Sequence, residues 1–254
     1  APLCGRAVAL RVLAERLRHR LLRRRNRELA RLVDQRTREL REASLTAPLT
    51  AIPNRRFFEQ VIHDDARRAL RRRRTANAQA SDLVLLLVDL DHFKSINDRL
   101  GHRAGDEVLI GAAARLRNTL RDGDLLVRWG GEEFLIVSRD TDRERGEALS
   151  VRLLQEVGWR PVTLTDGRTV DLTCSVGWAP FPWFADAPEA LSVEQVVHLA
   201  DGGLYAAKGS GRNRAVGVLP AAPASDESIA AVQRAQNVAS SSEFRLVRTP
   251  PPSR

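Results

Sequence analysis

No run of apolar residues approaches the ~20 that a membrane-spanning helix requires; the longest, LVLLLV at 83–88, has the length of a strand. Two cysteines, Cys4 and Cys174, are too few for a disulfide framework, and their separation offers no metal-binding spacing. A reduced, cytosolic setting is the expectation. Methionine is absent and the sequence starts at Ala1, as initiator removal or excision from a longer protein would leave it. Lysine is nearly absent as well: of 41 lysines and arginines, only Lys94 and Lys208 are lysines. In so arginine-rich a chain, a retained lysine points to a place where a compact charge serves better than a planar guanidinium, as it does against phosphate.

What is present is unevenly distributed. The 254 residues leave room for one sizeable domain and an appendage. Residues 1–44 carry 13 arginines against 5 acidic residues, so nearly all of the net charge of +9 belongs to this segment. A basic arm can bind nucleic acid, but this one has no interleaved aromatics, which argues against that partner. Lying just inside a membrane is the alternative, following the positive-inside bias.

From about Val12 to Ala43 neither Gly nor Pro interrupts the chain. A heptad register puts His19, Asn26, Val33 and Leu40 at one seam position and Leu22, Leu29, Arg36 and Ala43 at the other, the pattern of a marginal parallel coiled coil. TAPLTAIPN (46–54) breaks this helix with two prolines. A second helix is predicted over 55–74, with Phe57, Phe58, Val61 and Ile62 on its apolar side, followed by a loop at 75–81. A buried strand spans 82–90, then a helix from about 104 to 120, a hairpin over 125–138, a helix over 142–157, a second hairpin within 161–179 turning at Asp166-Gly167, a helix over 192–208 and a strand over 214–218. The order β-α-β-β-α-β predicts an α/β (α+β) ferredoxin-like sheet with helices on one face, preceded by a long N-terminal helix. Residues 219–254 are rich in Ala, Ser and Pro and are expected to be a disordered tail, with room for a short amphipathic helix near 227–238.

The chemistry concentrates in two stretches. In VDLDHFKSIND, β-strand alternation puts Asp89 and Asp91 on one side if the strand continues. In RWGGEEFLIV, two adjacent glutamates sit at the tip of a buried hairpin, where unpaired carboxylates repel each other and resist burial. Asp89, the Leu90 carbonyl and a hairpin glutamate supply hard oxygen ligands for Mg²⁺, which prefers carboxylates together with substrate phosphates. Gly130 and Gly131 are both expected to take the positive φ of a two-residue turn. Lys94 lies five residues beyond Asp89, and Lys208 opens the glycine-spaced, basic KGSGRNR. For Asp91 the simpler expectation is a solvated strand-end acid, and for Glu133 an arginine partner.

Over roughly residues 45–218 these stretches resemble the GGDEF-family diguanylate cyclases. The resemblance is carried by PLTAIPNRRFF, VDLDHFKSINDRLGHRAGDEVL, RDGDLLVRWGGEEF, LTCSVGWA and ADGGLYAAKGSGRNR, five blocks in family order. It implies a nucleotide-cyclase palm-type sheet over residues 46–218, after a signalling helix at 1–45, and condensation of two GTP into cyclic di-GMP and two pyrophosphates by a homodimer. It further implies Mg²⁺, with Mn²⁺ as the alternative ion, on Asp89, the Leu90 backbone and Glu132, with Glu133 in the same metal and catalytic cluster. Asn97 and Asp106 would read guanine, whose two adjacent donors one carboxylate can accept together. Lys94, Lys208 and Arg212 would contact the triphosphate, and Arg121 with Asp124 would form the family's Arg-x-x-Asp site for inhibitory product. His102 reads as structural and Asp98 as a surface acid. The helix resembles linkers that follow membrane sensors, so the domain is expected on the cytoplasmic side of the inner membrane, tethered through an upstream region. Two departures stand at the domain entrance, where Ala47 replaces the family's Asp and Ala51 its Gly. The rival expectation is a catalytically inactive domain that acts as a cyclic di-GMP receptor.

Overall fold

A computed structural model describes residues 45–74, 82–234 and 242–252, with scattered helical positions between 18 and 40. The chain divides into two units, 1–45 and 46–254. In the first, the described seam residues Leu22, Leu29, Val33 and Leu40 are about half exposed or more. Ala43 of the predicted seam lies outside the described residues, as does the loop at 75–81. Among the described residues, no helix is long and apolar enough to cross a membrane.

The second unit is built on β1 (Asp82–Leu90), every residue of which is buried. Its even-numbered side chains, Val84 to Leu90, join one apolar cluster with α3 (His102–Thr119) and α4 (Arg145–Gly158). Its odd-numbered Leu83, Leu85 and Leu87 join another with α1 (Arg55–Arg74) and α5 (Val193–Gly209). Helices therefore cover both faces of the sheet, which corrects the one-face expectation. An unbroken apolar run, rather than an alternating one, is the sign of a strand buried on both sides. Around β1 the sheet runs β2-β3-β1-β6-β7-β8, with β2 Leu125–Gly130, β3 Glu133–Thr141, β6 Cys174–Phe181, β7 Ala215–Pro220 and β8 Phe244–Thr249. Among the described strands of this sheet, only β6 and β7 pair in parallel.

Other expectations are revised in detail. The helix foreseen from 104 is preceded by a further one, α2 (Phe93–Leu100), separated from α3 by Gly101 at φ +86°. The second hairpin is reduced to β4 (Val162–Thr163) and β5 (Thr169–Val170), a separate two-stranded ribbon, while β6 joins the main sheet. The stretch expected to be a disordered tail holds, among its described residues, α6 (Asp226–Arg234) and β8, which pairs antiparallel with β7. Phe244 and Val232 from this stretch enter the apolar cluster beneath α5, so the tail has apolar surface to bury after all.

Helix α5 begins with a capping box: Ser192 Oγ accepts the Gln195 amide at 3.3 Å, and Gln195 Oε1 accepts the Ser192 amide at 2.7 Å. It then lies directly on β6, because a Cβ on Gly177 would run into the Ala200 carbonyl and the Leu204 amide. That close approach sets where the last turn of α5, with Lys208, meets the end of β1.

At the domain entrance, Ala51 sits at φ +54°, a conformation glycine adopts without penalty. Nearby, Thr50 Oγ1 is buried without a hydrogen-bond partner among the described residues, three residues after Ala47, on the turn closed by the Ala51 amide donating to the Ala47 carbonyl at 2.9 Å. Ala51→Gly is expected to stabilise the protein by about 1 kcal/mol, measured as a higher denaturant midpoint with an unchanged slope.

Candidate active site

The site forms where β1 ends. Asp89 is 6% exposed and lies directly across from Glu133 on β3 and Ser175 on β6. From the last turn of α5, Lys208 Nζ donates to Asp89 Oδ2 at 2.8 Å. Burial pushes the Asp89 carboxyl above the usual carboxylate range; Lys208 pulls it back, while Glu132 and Asp91 push it further up. Glu133, half-buried, is raised too, first by burial and then by the negative charge of Asp89, again with Lys208 opposing. The neighbouring charges at Glu133 are thus Asp89, Lys208, Asp201 and Glu132, and the arginine partner foreseen for it is not among them.

The glutamates reach this point through a tight connection. Only Gly131 has positive φ, at +34°; Gly130 is the last residue of β2, opposite Glu133, with a bulge between Arg128 and Gly130. This revises the expectation of two left-handed glycines: the bulge absorbs part of the reversal. Glu132 occupies the turn itself, and its carbonyl accepts the Leu90 amide at 3.4 Å. Arg128 closes the turn from outside, donating through Nε at 3.1 Å and Nη2 at 2.8 Å to the Gly131 carbonyl. Burial holds the Arg128 guanidinium below its usual range, with Asp106 on α3 partly opposing the shift. Sequence reasoning missed Arg128, although its position three residues before Gly131 was the available signal.

Around this centre the remaining residues take distinct places. Asn97, half-buried on α2, packs against Gly105, where a Cβ would strike its Oδ1; Asp106 follows on α3 and is exposed. Lys94 is exposed in the first turn of α2. Arg212 is exposed in the loop after α5, at φ +62°. Asp91 is not solvated: it is 4% exposed and bonded from three sides, a correction to the simple strand-end reading.

Arg121 and Asp124 stand elsewhere, before β2, at the opposite end of the strand from Gly130. Five residue-to-residue steps lead from Leu125 to Gly130, roughly 17 Å at ~3.4 Å per residue. The Asp124 side chain is 3% exposed and accepts from Ser138 Oγ at 3.1 Å and from the Arg139 and Arg121 amides at 3.2 Å each. The Arg121 guanidinium is 3.4 Å from it and half exposed. Cavities of about 240 and 350 Å³ open on either flank, the first reaching Arg145 and Arg152, the second Arg68 and Arg139.

Among the described residues, no three His, Cys, Asp or Glu side chains by themselves surround a metal ion. What the site offers is two carboxylates with raised pKa facing each other across β1 and β3, with the end of β1 and the Glu132 turn beside them. Such a set suits Mg²⁺, which takes one or two carboxylates and completes its shell with water and substrate phosphate. A cation there would also offset the burial, and the like-charge repulsion added to it, that hold both carboxyls high.

A family model described as "Diguanylate cyclase, GGDEF domain" matches residues 44–214. The chain is 40% identical over 168 residues to the diguanylate cyclase TpbB of Pseudomonas aeruginosa, covering 65% of this chain and 35% of that protein. It therefore spans about a third of that curated relative's length. Among solved structures, the GGDEF domain of the same Pseudomonas aeruginosa protein superposes with a TM-score of 0.57 at 35% identity, covering 66% of this chain and 91% of that one. The coiled coil and GGDEF domain of DgcB from Caulobacter crescentus, solved in complex with c-di-GMP, gives a TM-score of 0.60 at 25% identity, covering 76% of this chain and 94% of that one.

Proposed function

We propose, on the premise that this chain belongs to the GGDEF family of diguanylate cyclases, that it condenses two GTP molecules into cyclic di-GMP and two pyrophosphates. The observation that carries the reading is the Asp89–Lys208 pair at the end of β1 with Glu133 directly across the sheet. Opposed charges held together at the half-buried end of β1 suit a polyanion that must be bound and neutralised.

In each transfer, the 3′-oxygen of one GTP bonds to the α-phosphorus of the other. The bond from that phosphorus to the oxygen bridging to the β-phosphate breaks, pyrophosphate leaves, and the hydroxyl proton passes to a carboxylate, for which Glu132 is the candidate. Lys94, Lys208 and Arg212 balance the triphosphate, and Asn97 with Asp106 accept from the guanine edge. When bound, Mg²⁺ on Asp89, the Leu90 carbonyl, Glu132 and Glu133 would neutralise phosphate charge and ease ionisation of the 3′-hydroxyl.

Because each chain holds one nucleotide, two chains must face each other, and the exposed Leu22, Leu29, Val33 and Leu40 suit helix pairing. Residues 1–45 are read as the signalling helix and 46–218 as the catalytic domain, on the cytoplasmic side of a membrane sensor. Product bound at Arg121 and Asp124 would act from the far end of β2, without competing for the GTP position. Incubation with GTP and Mg²⁺, followed by chromatography, is expected to give a cyclic di-GMP peak that falls at least about a hundredfold in Glu132→Ala. Binding of cyclic di-GMP with no product formation would instead favour the second reading, a receptor using the arginines that flank Asp124.

A further inference from the structure

Within the proposed GTP site, Arg212 depends on an unusual stretch of backbone. Gly211, Arg212 and Asn213 have φ values of +110°, +62° and +47° in succession. Glycine takes such a conformation freely and asparagine tolerates it, but an arginine there is strained, and strain persists only where the surroundings hold it. On one side the loop is tied to α5 through the Arg212 amide and the Ala207 carbonyl at 3.1 Å. On the other it is tied to Asp91.

Asp91 uses both of its oxygens. Oδ1 accepts Ser175 Oγ at 2.7 Å; Oδ2 accepts Thr173 Oγ1 at 2.7 Å and the Asn213 backbone amide at 3.0 Å. Its own amide donates to the Thr173 carbonyl at 2.9 Å. The carboxylate thereby joins the end of β1, the entry to β6 and the end of the loop that carries Arg212. It makes no ion pair with a lysine or arginine among the described residues. Asp89, two residues earlier, takes Lys208 at the other end of the same loop.

We infer that Asp91 is a positioning residue of the nucleotide site: it holds the left-handed Arg212–Asn213 turn and so aims Arg212 at the triphosphate. The inference rests on the GTP-binding reading above. Loss of the carboxylate frees the Asn213 amide, and the strained turn relaxes. Asparagine at 91 can preserve the latch, with its oxygen facing Thr173 and Asn213 and its amide facing the Ser175 hydroxyl, which can accept as well as donate.

The test is GTP affinity by titration calorimetry with Ca²⁺ as the supporting ion, on wild type, Asp91→Ala, Asp91→Asn, Arg212→Ala and the Asp91→Ala/Arg212→Ala double variant. Asp91→Ala is expected to weaken GTP about tenfold, as the loss of one charge-assisted hydrogen bond implies, and Asp91→Asn to bind within about threefold of wild type. In the Arg212→Ala background, Asp91→Ala should add almost nothing, since it acts through Arg212. Equal affinity of Asp91→Ala and wild type, or full additivity of the two losses, overturns the inference while leaving the GTP site intact. Absence of GTP binding in the wild type overturns both. Should Asp91→Ala fail to fold, amide hydrogen exchange in the wild-type protein decides: the Asn213 amide should exchange far more slowly than an open-loop amide, and fast exchange refutes the latch.

Discussion

Replacing Asp82 with alanine is expected to destabilise the protein by about 3–5 kcal/mol, the range for breaking a buried ion pair from one side. Asp82 is 3% exposed at the start of β1 and serves two guanidinium groups. Arg73 Nη1, from the last turn of α1, lies 2.5 Å from one oxygen; Arg143 Nε and Nη2, from the segment after β3, lie 3.0 and 2.9 Å from the other. Both arginines are largely buried, and Arg143 also donates to the Pro182 and Trp183 carbonyls at 3.0 and 3.3 Å. Removing the carboxylate leaves two positive charges with little water to replace it. Urea denaturation measures the loss, with Asp82→Asn, which keeps part of the bonding, expected to fall between the two. A loss below about 1 kcal/mol, the level of an exposed pair, would mean that solvent reaches this network.

Gly177→Ala is expected to cost about 3 kcal/mol, at the upper end for overpacking, and to reduce cyclic di-GMP formation more than it reduces stability. The added carbon meets backbone, the Ala200 carbonyl and the Leu204 amide, and backbone cannot swing aside as a flexible side chain can. Helix α5 must lift from β6, and Lys208, four residues past Leu204, then moves relative to Asp89. Gly203, which faces the Val216 carbonyl and the Gly177 Cα, leaves no room on the other side of the contact. Gly123→Ala is the control, because a Cβ there meets nothing within 4 Å; its effect should stay within about 0.5 kcal/mol. Turnover assayed at a temperature where both variants are fully folded separates the displacement of Lys208 from simple unfolding.

Much of the fold could be read from local pattern. The run at 83–88 marked β1, and apolar spacing in 55–74 marked α1, because both are long and strongly patterned. Asp89 and the paired glutamates were legible because carboxylates beside a buried strand demand a reason. Helix α2 escaped notice: it is eight residues long, starts from His92 at φ +57° without a side-chain cap, and buries only Phe93 and Ile96. Asp91 was misread because the partners that bury it lie 82, 84 and 122 residues away in sequence. β8 was missed for a similar reason. FRLVRT is six residues long with two arginines and gives only a short strand signal until β7 is available to pair with it, and a low-aromatic composition around it suggested disorder.

That sixth strand covers an edge of the sheet that would otherwise stand open. A strand edge with unpaired amides and carbonyls is a template on which another chain can add. In β7 that edge would belong to Ala215–Leu219, all buried and mostly branched or apolar. β8 takes up those hydrogen bonds over six residue pairs, from Ala215–Thr249 to Pro220–Phe244. The border it offers instead has exposed Arg245 and Arg248 and runs into Pro250, Pro251 and Pro252, features that repel strand addition. A chain cut after Val218 would trade that guarded border for a bare one, and its colloidal behaviour, rather than its chemistry, would be the first thing to suffer.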